Sequence, residues 1–146
     1  MKKLLLSLAL MAALGNLAAG ELTWLTDVPQ ALAQAKKENK SVVLHFTGSD
    51  WCGYCIKQHK EVFSTDEFAK YASANLVLVD VDFPNKKQLP ADLKKANEAL
   101  KNKYKIEGYP TLVVLDATGK ELGRAVGYGG GGPKAVIAEL DKARKS

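Results

Sequence analysis

The only two cysteines of this 146-residue chain stand three apart, in Trp51-Cys52-Gly53-Tyr54-Cys55. A Cys-x-x-Cys pair placed behind an apolar run and at the start of a helix can cycle between dithiol and disulfide. The chemistry it points to is thiol–disulfide exchange. The attacking species is the thiolate, so the site must stabilise negative sulfur. At a helix start, unpaired backbone N–H groups and the positive end of the dipole do this, and they lower the thiol pKa. Cys52 is therefore expected to be the exposed nucleophile. Cys55, one turn into the helix, is expected to be shielded and to attack the mixed disulfide between Cys52 and the substrate. Gly53 lets a tight turn form and a substrate backbone approach. A structural staple explains the spacing poorly, because so short a loop removes little entropy from the unfolded chain.

His59 lies four residues after Cys55, on the same expected helix face. Cys52, Cys55 and His59 together offer a soft-metal ligand set, so a copper chaperone or binding protein is the rival class. A histidine exposed on the helix surface is the simpler reading, and no metal is assigned. The glycine-rich run from Gly127 to Gly132 lacks the Lys-Ser/Thr of a phosphate loop and reads as a linker into the last helix. The net charge of +5 is spread along the chain. Lys36-Lys37, Lys86-Lys87 and Lys94-Lys95 read as solvated faces, so no nucleic-acid partner is expected.

The elements that must position the cysteines follow from periodicity. Asp27 is a helix N-cap, and Val28, Ala31, Leu32 and Ala35 form one helix face ending at Asn39. Ser41 to Thr47 is apolar with little alternation, which suits a central strand covered on both faces. The cysteine motif opens a helix running to about Phe63, with no proline to kink it. Ser64 and Glu67 form a capping-box pattern for a short helix to about Ala74. Leu76 to Val81 is a second strand. Pro90 opens a helix with Leu93, Ala96 and Leu100 inward. Thr111 to Leu115 and Glu121 to Val126 form a hairpin, and a final helix from Pro133 turns Val136, Ile137 and Leu140 inward. Alternating strands and helices with a terminal hairpin predict an α/β fold with a mixed central β-sheet and helices on both faces.

The first 20 residues are of a different kind. Lys2 and Lys3 precede an apolar run from Leu4 to Leu14, and Ala18-Ala19-Gly20 follows. This is the pattern of a secretory signal peptide, too short for a comfortable membrane span. It divides the chain into 1–20, a signal peptide, and 21–146, one domain of a periplasmic or secreted protein.

Together these features resemble the thioredoxin-like family. The resemblance rests on Phe46 to Cys55 (FTGSDWCGYC) and on Gly108-Tyr109-Pro110-Thr111 before the strand Leu112 to Leu115. It covers roughly Ser41 to Ser146. It implies that Pro110 is cis, packs beside the sulfurs and keeps metals off the dithiol. The Tyr109 backbone would then pair with an extended substrate, while Trp51 flanks the site or simply packs under the turn. The family places a buried acid near the end of the first strand. One extra residue before Trp51 puts His45 at that position, as a proton acceptor for Cys55 or as a core histidine bonded to a carbonyl. The chain departs from standard thioredoxin in having Tyr54 where proline is usual and a longer loop from Phe83 to Leu89. The resemblance implies a thiol–disulfide oxidoreductase acting as a monomer on protein thiols and disulfides. The reductase direction is favoured. No bound cofactor is implied, since the dithiol carries two electrons, but a redox partner such as a membrane electron-transfer protein is.

Overall fold

The computed structural model describes residues 22–146, and the expected signal peptide lies outside the described residues. The chain runs β1 (Trp24–Leu25), α1 (Val28–Glu38), β2 (Ser41–Thr47), α2 (Gly53–Gln58) and a π-helical turn (His59–Phe63). It continues through α3 (Asp66–Asn75), β3 (Leu76–Asp82), α4 (Ala91–Lys103), β4 (Thr111–Leu115), β5 (Glu121–Val126) and α5 (Gly132–Arg144). The five strands form one sheet in the order β1-β3-β2-β4-β5. β3 is parallel to both β1 and β2, whereas β4 runs antiparallel to β2 and β5 antiparallel to β4. This is the expected mixed sheet.

β2 is central, and its side chains alternate between two cores. Val42, Leu44 and Phe46 pack with Ala31 and Ala35 of α1, with Val77, Val79 and Val81 of β3, and with Tyr104. Val43 points to the other face, against Val62, Phe63, Phe68 and Ala72 and against Val136 and Leu140 of α5. Burial on both sides is why β2 reads as a continuous apolar run rather than an alternating one. His45 falls on the same face as Val43, next to Phe63.

Several local expectations hold. The Asp27 carboxylate accepts the Gln30 N–H at 2.8 Å, and Asn39 ends α1 in the left-handed region with φ 54°. The hairpin of β4 and β5 has the expected bounds. Others need correction. β1 was not expected; two residues are too few to show a period, and the strand exists only through parallel pairing with Leu78 and Val79. The helix after Cys55 does not continue as a regular α-helix, because the Ser64 N–H reaches back to the His59 carbonyl at 3.0 Å. That carbonyl also accepts the Ser64 hydroxyl at 2.9 Å. With Ser64 so occupied, Thr65 rather than Ser64 caps α3, accepting the Phe68 N–H at 3.3 Å. In α4 the inward face is Leu93, Asn97 and Leu100, with Asn97 buried and Ala96 exposed. The Asn97 amide donates to the Asp82 carbonyl at 3.0 Å, which fixes this rotation of the helix.

Candidate active site

The end of β2 delivers the chain to a turn at Gly48–Trp51, closed by the Cys52 N–H donating to the Gly48 carbonyl at 2.9 Å. Gly48 is required there: a Cβ at this position would lie within 2.8 Å of three atoms of the Trp51 ring. Asp82, at the end of β3, accepts the Ser49 N–H at 3.0 Å and the Ser49 hydroxyl. The turn is thus tied to the neighbouring strand. Cys52 occupies the N-cap of α2, and its Sγ accepts the Cys55 N–H at 3.2 Å. The helix-start placement expected from the sequence is therefore present. Backbone N–H groups at a helix start are placed to stabilise negative charge on this sulfur.

Cys52 and Cys55 are joined as a disulfide. Cys52 is 7% exposed and Cys55 2% exposed, so both are buried and Cys52 is the more accessible. Gly53 sits over open space, with nothing within 4 Å of a Cβ placed on it. Tyr54, at 67% exposure, faces outward beside it.

The Tyr109–Pro110 peptide bond is cis. The Tyr109 carbonyl oxygen lies 3.8 Å from Cys52 Sγ. Pro110 is buried and its carbonyl accepts the Gly127 N–H at 2.7 Å, while the Thr111 hydroxyl donates to the Gly108 carbonyl at 2.8 Å. These bonds tie the second loop to the end of β5 and brace it internally. Trp51 is 45% exposed and donates its indole N–H to the Phe83 carbonyl at 2.7 Å. Its ring meets Tyr109 edge-on at 5.8 Å between centroids. Trp51 thus both packs beside the turn and presents an open face.

His45 is 5% exposed and lies between the rings of Trp24, at 5.4 Å, and Phe63, at 4.9 Å. No backbone carbonyl satisfies it. Nδ1 is 3.7 Å from the Asp80 carboxylate, while the buried Nε2 has no hydrogen-bond partner. Parallel pairing of β2 with β3 sets His45 beside Asp80. A cavity of about 320 Å³ brings His45, Asp80, Cys55 and His59 to one wall-to-wall space behind the disulfide. Asp80 and Asp82 escaped the sequence reading; their signal was two acids, two residues apart, in a strand that is otherwise apolar. His59 is exposed, and its ring lies 6.4 Å from Phe63. Among the described residues no three of His, Cys, Asp and Glu are grouped to hold a metal ion, so Cys52, Cys55 and His59 are not assembled as a ligand set.

Residues 28–144 match the family described as the thioredoxin-like domain. The chain is 40% identical over 129 residues to the disulfide bond reductase DsbH of Chlamydia pneumoniae, covering 88% of this chain and 76% of that protein. It is 33% identical to the thioredoxin-related protein DsbJ of the same organism, over 86% of this chain but only 37% of DsbJ. A solved structure of the DsbH oxidoreductase superposes with a TM-score of 0.81 at 38% identity, covering 89% of both chains. The chain belongs to the thioredoxin-like family, and it is a thiol–disulfide oxidoreductase of that family.

Proposed function

We propose that this thioredoxin-like protein is an exported reductase of protein disulfides, with Cys52 as nucleophile and Cys55 as resolving cysteine. The observation that carries the assignment is the Cys52 sulfur at the helix start, accepting the Cys55 N–H at 3.2 Å and facing the Tyr109 carbonyl at 3.8 Å. In the reduced protein the Cys52 thiolate attacks a substrate sulfur. One substrate thiolate leaves, and a Cys52–substrate disulfide forms. The Cys55 thiolate then attacks Cys52 Sγ and releases the second substrate thiolate. Two electrons have passed to the substrate, and the protein is left as the Cys52–Cys55 disulfide.

Cys55 must lose a proton to attack. His45 Nε2 is the acceptor we assign, because it has no hydrogen-bond partner and His45 and Cys55 line the same cavity. Asp80, beside Nδ1, favours the tautomer with its proton on Nδ1 and the Nε2 lone pair free. Asp80 is thus a positioning residue.

Similarity to a protein named a disulfide bond reductase supports the reducing direction. The leader pattern of residues 1–20 supports export to the periplasm or beyond. No helix among the described residues is long and apolar enough to cross a membrane. A dithiol partner, such as a membrane electron-transfer protein, would return the disulfide to the dithiol.

The test is a single turnover: pre-reduced protein, freed of small thiols, is mixed with a peptide disulfide. Release of two peptide thiols per protein, abolished in Cys52→Ser, is the expected result. Absence of thiol release from the unmodified protein would remove the assignment.

A further inference from the structure

A second cavity, of about 500 Å³, borders the site on the side of Trp51 and Tyr109. Bond exchange between the sulfurs does not require it. Its apolar wall is made by Trp51, Phe83 and Tyr109, and α4 contributes Lys94, Glu98 and Lys101. Cavities of this size hold several residues of a peptide or a drug-sized ligand.

The cavity is built rather than incidental. The Asp50 carboxylate, at the redox turn, accepts the N–H groups of Asn85, Lys86 and Lys87 at 2.8, 2.7 and 2.9 Å. The Trp51 indole grips the same loop at Phe83. The loop from Phe83 to Leu89 is thereby fixed to the residue preceding the nucleophile.

Its charges do not cancel. The buried Asp82 is matched by Lys87, with Nζ at 3.4 Å. On α4, two lysines face one glutamate, and among the described residues none of Lys94, Glu98 and Lys101 belongs to an ion pair. The Lys101 ammonium rests instead 5.5 Å from the Phe83 ring and 5.9 Å from the Tyr109 ring. A cation held by aromatic faces and lacking a carboxylate remains free to receive an anion.

We propose that this cavity is a substrate subsite that receives an acidic residue in the polypeptide flanking the target cysteine. The Tyr109 carbonyl is 3.8 Å from Cys52 Sγ while the residue's ring lines the cavity, so a chain joined to Cys52 enters it within a few residues. The inference rests on the disulfide-reducing function proposed above and names its preferred substrate class.

Three peptide disulfides, identical except for Glu, Ala or Lys beside the cysteine, would be reduced in single turnovers at low ionic strength. The expected order is Glu over Ala over Lys, with about a three- to tenfold span that narrows as salt is added. The double variant K94E/K101E reverses that order. K142E/K145E, which removes the same charge from exposed positions at the end of the chain, leaves it in place. Equal rates for the three peptides, or reversal by K142E/K145E as well, would overturn the inference. Failure to reduce even the Ala peptide would instead strike the proposed function.

Discussion

Replacing His45 with leucine should separate stability from catalysis. The side chain is 5% exposed, and its buried Nε2 lacks any partner. An unsatisfied buried polar group costs about 1–3 kcal/mol, which leucine would remove. Against this, the ring contacts with Trp24 and Phe63 would lose their aromatic component, about 1 kcal/mol. The contact with Asp80 is long, at 3.7 Å, and the Asp80 side chain is 35% exposed and can be rehydrated, so its loss costs at most about 1 kcal/mol. Stability should therefore fall by no more than about 1 kcal/mol and rise by no more than about 2 kcal/mol, a change of several degrees in Tm at most. Loss of the proton acceptor should slow attack by Cys55 by about 10²–10⁴-fold. Thermal unfolding gives the first quantity. Rapid acid quench with mass analysis of the Cys52–substrate adduct gives the second. A variant destabilised by more than about 2 kcal/mol whose adduct resolves at the original rate would show that His45 is a core residue and refute the reasoning.

Further outcomes follow from neighbouring contacts. Asp80→Asn should fold normally but slow resolution and alter its pH profile, because an amide no longer favours one imidazole tautomer; an unchanged profile would take Asp80 out of the mechanism. The Asn85, Lys87 and Lys86 amides hold the Asp50 carboxyl below the usual carboxylate range. With the folded pKa depressed, this contribution is complete above the unfolded value and is lost as pH falls through the folded one. Amide-exchange protection at Asn85, Lys86 and Lys87 should thus persist below about pH 3.9 before it collapses, and Asp50→Asn should weaken it at neutral pH. Phe46→Ala, at a fully buried site in the central strand, should cost about 3–5 kcal/mol in denaturant unfolding.

The cysteine motif was legible because its chemistry depends on local order: an apolar strand, a turn and a helix start in 15 consecutive residues, Ser41 to Cys55. Pro110 was legible as the second loop only through resemblance, since nothing in Tyr109-Pro110-Thr111 itself says which sulfur it faces. His45 was found as a candidate without its partner. Asp80 becomes its neighbour only through the parallel register of β2 and β3, a pairing between distant segments that periodicity does not reveal. The rotation of α4 was misread for a related reason. Asn97 looks like a surface residue until the Asp82 carbonyl beside it needs a donor. The π-helical turn was hidden as well, because no residue type announces a carbonyl that will be bonded five residues on.

The central claim is that exchange starts at Cys52 and is completed by Cys55. Its most direct test is the intact mass of pre-reduced Cys55→Ser and Cys52→Ser variants after brief exposure to a peptide disulfide. Cys55→Ser should carry one peptide, held stably on Cys52, while Cys52→Ser should carry none. A stable adduct on Cys52→Ser, or none on Cys55→Ser with Cys52 shown to be reactive, would contradict the account.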